Sequence, residues 1–246
     1  MRTPIDAPRE ERILFAHRGA SGHARGNTIE AFRLALTLGA TGLESDAWLT
    51  RDGAVVLDHS GTVRRRLRAR TIASTDRADL PHHVPELPDL LAILGAAHLS
   101  LDVGDVAALD PIVAATRAAG VAPSRTWLCH PDPAICASWA TRFGDDGPRV
   151  VHSGRIGDMP EGIERRIGRL AEAGVAALNM HREDWSGGLV ALAHRFGVEA
   201  FAWDVRFAHQ ASALLAMGCD AVYGDWPDRL VDGRDGREGS ADATGS

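Results

Sequence analysis

The feature that most constrains the fold is an alternation repeated eight times along the chain. A short apolar run ends in polar or charged residues, and a stretch with helical periodicity usually follows. The runs are Ile13–Ala16, Thr41–Ser45, His98–Leu101, Thr126–Cys129, Arg149–Val151, Val175–Leu178, Val198–Ala202 and Asp220–Tyr223. Runs this short, bounded by turn residues, are the length of buried strands. Between them Phe32, Ala35 and Leu36 form one apolar stripe, Leu87, Leu90, Leu91 and Leu94 a second, and Ile163, Ile167 and Leu170 a third. Glycines such as Gly95, Gly144 and Gly218 fall just past these stretches, where a left-handed residue ends a helix. Asn27 with Glu30 three residues on predicts a capped helix start. Strand and helix alternating eight times predicts a closed parallel (β/α)8 TIM barrel over residues 10–231, in preference to an open doubly wound sheet.

Two regions stand outside the repeat. Residues 51–85 are too long for an ordinary βα loop and predict a small insertion after the second strand. Asp52-Gly53 is a hairpin-type turn, and Ala54–Leu57 leads from it to His59. The basic run Arg64 to Arg70 within it reads as a solvated face. Residues 232–246 are rich in Gly, Asp and Ser without periodicity and read as a disordered tail.

Composition excludes several functions. All 27 basic side chains are arginine. Without a lysine amine there is no Schiff-base aldolase, pyridoxal phosphate enzyme or P-loop NTPase. A net charge of −6 argues against nucleic acid as partner. Cys129, Cys136 and Cys219 lack metal-ligand spacing and read as free thiols of a reducing compartment. No apolar run reaches the ~18 residues of a membrane span, and no secretory signal is visible, so a cytoplasmic protein is expected. The oligomeric state is not readable.

A barrel of this kind gathers its chemistry at the C-terminal ends of the strands. Those ends carry His17 and Arg18, Glu44 and Asp46, Asp102, His130, His152, Asn179 and His181, Trp203 and Asp204, then Asp225. Glu44 and Asp46 are two apart in a strand, so both point to one face. Paired carboxylates with histidines nearby make poor core and a good site for a hard divalent cation. No acid or cysteine joins His130, His152 and His181 at ligand spacing, so they read as polar contacts to a substrate. Trp203 reads as a pocket floor.

These residues resemble the glycerophosphodiester phosphodiesterase family. The matching pieces are HRGAS (His17 to Ser21), NTIEAF (Asn27 to Phe32), GLESDAWLTRDG (Gly42 to Gly53), VVLDH (Val55 to His59), LSLD (Leu99 to Asp102), AWDV (Ala202 to Val205) and GDWPDRL (Gly224 to Leu230). The resemblance implies a metal-dependent barrel that hydrolyses a small-molecule glycerophosphodiester to glycerol 3-phosphate and an alcohol. It implies one divalent cation, Mg2+ or Ca2+, on Glu44 and Asp46, with Asp102 on the third ligand strand. It makes His17 and His59 the acid–base pair and gives Arg18 the phosphate; because histidine titrates near neutral pH and can fill either role, we read His17 as the base and His59 as the acid.

The sequence departs from that family's usual pattern at four places. Arg25-Gly26 stands for Pro-Glu, Ser60 for an aspartate, Asp102 for a glutamate, and Gly104 for a lysine. The shorter Asp102 predicts altered metal binding. Two other readings fit the same barrel. One is a lysophospholipase D-like hydrolase acting on lipid-linked diesters, and the other is a barrel that binds phosphate without turnover.

Overall fold

The structure is a computed structural model, and it describes residues 11–65 and 68–237. In chain order the elements are β1 (Ile13–Ala16), α1 (Ile29–Thr37), β2 (Gly42–Leu49), β3 (Val55–Leu57), β4 (Thr62–Arg65), β5 (Arg68–Thr71), α2 (Leu87–Leu94), β6 (His98–Val103), α3 (Leu109–Ala118), β7 (Thr126–His130), α4 (Pro133–Phe143), β8 (Arg149–Gly154), α5 (Ile163–Glu172), β9 (Ala177–His181), α6 (Gly187–Arg195), β10 (Glu199–Trp203), α7 (Ala208–Met217), β11 (Ala221–Gly224) and α8 (Pro227–Asp235). Strands pair in the order β1-β11-β10-β9-β8-β7-β6-β2. Parallel pairing of Phe15 with Gly42 and Ala16 with Leu43 joins β1 to β2 and closes the ring. The expected (β/α)8 barrel is what forms.

Strand side chains alternate between two cores, as period two demands. One face points into the barrel, where Phe15 stacks on Tyr223 with ring centroids 4.5 Å apart and Trp127 meets Phe201 edge-on at 4.9 Å. A salt bridge from Arg149 to Glu199 lies in the lower barrel, the guanidinium 4.9 Å over Trp127. The other face meets the helices: Leu14, Leu43, Leu99, Leu101, Leu128, Val150, Leu178 and Val222 pack against Phe32, Leu90, Ile112 and Ile167. Gly42 has no side chain because Phe15 leaves no room; a Cβ there would lie 2.5 Å from the ring.

The insertion is a small lobe with its own apolar centre. β3 runs antiparallel to β2, from Ala47 opposite Leu57 to Leu49 opposite Val55, and β4 pairs with β5 as a hairpin. Val56, Val63, Ile72, Leu80 and Val84 are buried together, with Trp48 packed against them. Of the basic run expected here, Arg66 lies outside the described residues. Two other expectations change. Helix α8 runs to Asp235, four residues into the segment read as tail, because Leu230 is buried against the barrel; residues 238–246 lie outside the described residues. The cap of α1 is Thr28, whose hydroxyl accepts from the Ala31 N–H at 3.2 Å, and Asn27 is used elsewhere. Among the described residues no helix is long and apolar enough to cross a membrane.

Candidate active site

β2 and β6 bring three carboxylates together at the barrel mouth. Their register sets Glu44 opposite Ser100 and Asp46 opposite Asp102. Ligand oxygens of Glu44, Asp46 and Asp102 lie within 4.8 Å of one another. Like charges directly opposite each other on neighbouring strands repel. Glu44 is buried, and that burial, with the charges of Asp46 and Asp102, pushes its pKa up to about 8 despite the opposing pull of His17. Asp102 opens to the mouth but is ringed by barrel wall, and this desolvation with the charge of Asp46 raises it to about 6. Such a cluster holds three negative charges only with a compensating cation. Oxygen ligands without sulfur or imidazole suit Mg2+ or Ca2+.

Several polar contacts hold these acids in place. The Arg18 backbone N–H donates to Glu44 Oε2 at 2.8 Å. Asn27 Nδ2 donates to Asp46 Oδ2 at 3.0 Å, while Asn27 Oδ1 accepts from the buried Ser45 hydroxyl at 2.7 Å. Arg18 Nε lies 3.7 Å from Asp46 Oδ2 and is buried without a hydrogen-bond partner. Arg18 and Asn27 both adopt left-handed backbone conformations, with φ of 53° and 55°, and Asp204 across the mouth has φ 65°. These are the non-glycine residues of positive φ among the described residues.

His17 leaves the end of β1 beside the cluster. Its Nδ1 donates to Asp225 Oδ1 at 2.7 Å, an oxygen that also accepts from the Ser21 hydroxyl at 2.7 Å. Its Nε2 is turned toward Glu44 Oε2, 3.9 Å away. Burial works against protonation of His17, but Glu44 and the bond to Asp225 outweigh it and raise the pKa above the ordinary histidine value. Asp225 is held below the usual carboxylate range, chiefly by that same bond. Asp225 has no role from sequence reasoning beyond standing at a strand end. Parallel pairing of Ala16 with Gly224 was the available signal, since it makes His17 and Asp225 neighbours.

A cavity of about 330 Å³ opens over these groups, lined by His17, Arg18, Glu44 and Asp102 and, across from them, by Ser153, Asn179, Trp203 and Arg206. Trp203 lines the cavity. Asn179 is an unassigned strand-end residue that joins it, buried and with its Oδ1 unpartnered.

The other histidines fall elsewhere. His152 is a correction: it shares the outward face of β8 with Val150, is buried against α5, and bonds Arg166 Nη1 at 2.9 Å. Burial and the Arg166 charge lower its pKa to about 4. Ser153, one residue on, has the inward parity and lines the cavity instead. His181 has both ring nitrogens engaged, Nε2 with Asp204 at 3.1 Å and Nδ1 accepting from the Glu183 N–H at 3.3 Å, and stands behind Trp203. His130 accepts from the Asp132 N–H through Nδ1 at 2.9 Å, packs edge-on to Trp139, and borders a side recess. His59 is exposed, without a hydrogen bond among the described residues. Its loop is fixed on either side, because the Asp58 N–H donates to the Asp46 carbonyl at 3.1 Å and Trp48 Nε1 donates to the Asp58 carbonyl at 2.7 Å.

Comparison with known proteins agrees with this geometry. The profile of the glycerophosphoryl diester phosphodiesterase family matches residues 17–117, which carry His17, Glu44, Asp46, His59 and Asp102. A glycerophosphodiester phosphodiesterase of Caldanaerobacter subterraneus is 49% identical over 53 residues, a stretch covering 22% of this chain and 22% of that protein. Bacillus subtilis YhdW is 25% identical over 260 residues, covering 91% of this chain and 98% of that protein. In structure the chain is similar to a glycerophosphodiester phosphodiesterase of Thermotoga maritima, with TM-score 0.77, 18% identity, and coverage of 91% and 99%. An Oleispira antarctica phosphodiesterase, solved in complex with the product sn-glycerol-3-phosphate, gives TM-score 0.74 and 20% identity over 91% of this chain and 96% of that one. Over residues 17–117 the chain matches the glycerophosphoryl diester phosphodiesterase family, and over most of its length it is similar to YhdW and to solved phosphodiesterases of the same fold.

Proposed function

We propose that this protein hydrolyses glycerophosphodiesters to glycerol 3-phosphate and an alcohol, using one divalent cation, Mg2+ or Ca2+. The observation that carries the reading is the cluster of Glu44, Asp46 and Asp102, with ligand oxygens within 4.8 Å, beside His17 and Arg18. The three acids would hold the cation. Bound there, it withdraws charge from a phosphate oxygen and fixes the phosphorus for displacement.

The chain's own residues supply the rest. The buried, unpartnered Nε of Arg18 gives an anion a donor in a low-dielectric wall. With Nδ1 donating to Asp225, neutral His17 carries its lone pair on Nε2, the nitrogen on the cluster side. His17 takes the proton of the attacking water as its oxygen bonds to phosphorus. The phosphorus–oxygen bond to the alcohol breaks, and His59 gives its proton to the departing alkoxide. The complex of the Oleispira antarctica phosphodiesterase with sn-glycerol-3-phosphate supports the product side of this reading. The free, buried thiols are consistent with work in the cytoplasm.

Hydrolysis of bis(p-nitrophenyl) phosphate, glycerophosphocholine and a lysophospholipid, each with and without EDTA, tests the proposal. The first two should be cleaved and EDTA should abolish both. Preference for the lysophospholipid would favour the lipid-linked alternative, and no turnover would leave a binding barrel. His17→Ala and His59→Ala should each lower turnover of the alkyl diester by roughly 10²–10⁴. His59→Ala should retain far more activity on the p-nitrophenyl ester, whose leaving group departs without a proton.

A further inference from the structure

The carboxylate cluster stands between two cavities. Asp102 and Ser153 line both the main cavity and a recess of about 190 Å³ walled by Trp48, Val103, Cys129 and Pro131. Glu44 faces only the main cavity, and Asp46 only the recess. A phosphodiester carries two ester arms on one phosphorus, so a phosphate seated at the cluster sends one arm each way.

The two sides differ in chemistry. The main cavity offers Asn179, Asp204 and Arg206, groups that meet hydroxyls. Beyond Asp46 and Asp102 at the cluster and His130 at its border, the recess offers an indole, a proline and a valine, and none of its lining residues carries a lysine or arginine charge. Its shape is fixed by Trp48. A Cβ on Gly104 would lie 2.4 Å from the indole and one on Gly61 2.7 Å from it, so the ring fills the room of both absent side chains. The bond from Trp48 Nε1 to the Asp58 carbonyl holds it from a third side. Asp58 and Gly61 flank His59 in sequence, so the ring that walls the recess also fixes the loop bearing the proposed acid.

We propose that the recess seats the leaving alcohol and selects one with an apolar or aromatic group. The inference rests on the phosphodiesterase reading and names the alcohol for which that site is built. A recess of about 190 Å³ has room for an arm the size of a benzyl or butyl group. The leaving oxygen then lies on the side of the His59 loop, where its proton is needed, and the glycerol arm lies among the polar groups.

The test compares two diesters that share a glycerophosphate arm, one a benzyl ester and the other a second glyceryl ester. The wild type should favour the benzyl ester in kcat/KM by roughly tenfold or more. Pro131→Glu puts a charge on the wall without touching the Trp48 clamp, and should erase most of that preference. Trp48→Ala should erase it too and lower kcat on both esters through the loosened His59 loop. Equal turnover of both esters, or a preference unchanged by Pro131→Glu, overturns the recess and leaves the phosphodiesterase reading standing. Failure to cleave either ester overturns both.

Discussion

His152 predicts a specific acid sensitivity. It is buried and accepts from Arg166, and its pKa is lowered to about 4 by burial and the guanidinium. An unfolded histidine titrates near ~6.5. Between these values the unfolded chain binds the extra proton, so stability is full above ~6.5 and falls as the pH drops toward 4. Integrating the two titrations gives a loss of about 2 kcal/mol at pH 5 and about 3 kcal/mol at pH 4, relative to pH 7.5. In His152→Gln the amide oxygen can still accept from Arg166, but nothing titrates. Urea denaturation of both proteins at pH 7.5 and pH 5 is the assay. The variant should be the less stable at pH 7.5, and its disadvantage should shrink by about 2 kcal/mol at pH 5, or roughly 4–8 °C in melting temperature. Parallel pH curves for the two proteins would show that His152 does not stay neutral in the fold.

Three further outcomes follow from the site and core. Asp225→Asn should slow turnover roughly tenfold by weakening the charge-assisted bond to His17. Loss of the carboxylate also lowers the His17 pKa, so the acidic limb of the rate profile should move to lower pH; an unmoved limb refutes the coupling. Gly42→Ala forces a methyl against Phe15 and should cost about 1–3 kcal/mol in chemical denaturation, whereas unchanged stability would deny the close contact. Adding Mg2+ or Ca2+ to chelator-stripped protein near pH 7 should release protons, because Glu44 is held up at about 8. Binding heats that do not vary with buffer ionisation enthalpy would count against this.

The barrel was legible because each strand is apolar on both faces and each helix on one. The aromatic interior and the leucine-rich layer under the helices are both apolar, so the runs stand out. What the sequence hides is parity at the strand ends. His17, His130 and His152 all follow apolar runs in the sequence, yet β8 runs on to Gly154 and turns His152 outward with Val150 and Ser153 inward. Counting two residues from an inward anchor such as Val151 would have found this. Asn27 looked like a cap because asparagine favours that position, but Thr28 beside it does the capping and frees the amide for Asp46. The pairing of His17 with Asp225 joins residues 208 apart, and only closure of the ring brings them together.

The left-handed backbone of Arg18, Asn27 and Asp204 has a consequence for how such a protein can change. That conformation costs on the order of 1–2 kcal/mol at Arg18 and less at Asn27 and Asp204, whose short polar side chains tolerate it, and all three lie at or beside the mouth. Together they withdraw a noticeable share of a net stability that for a domain is about 5–15 kcal/mol. Selection for robustness alone would drift toward glycine at these positions and, in doing so, remove the guanidinium and the amide beside Asp46. Descendants hardened in that way would lose groups of the site, and heat tolerance is better gained low in the barrel, around Trp127 and Phe201, away from the cavity.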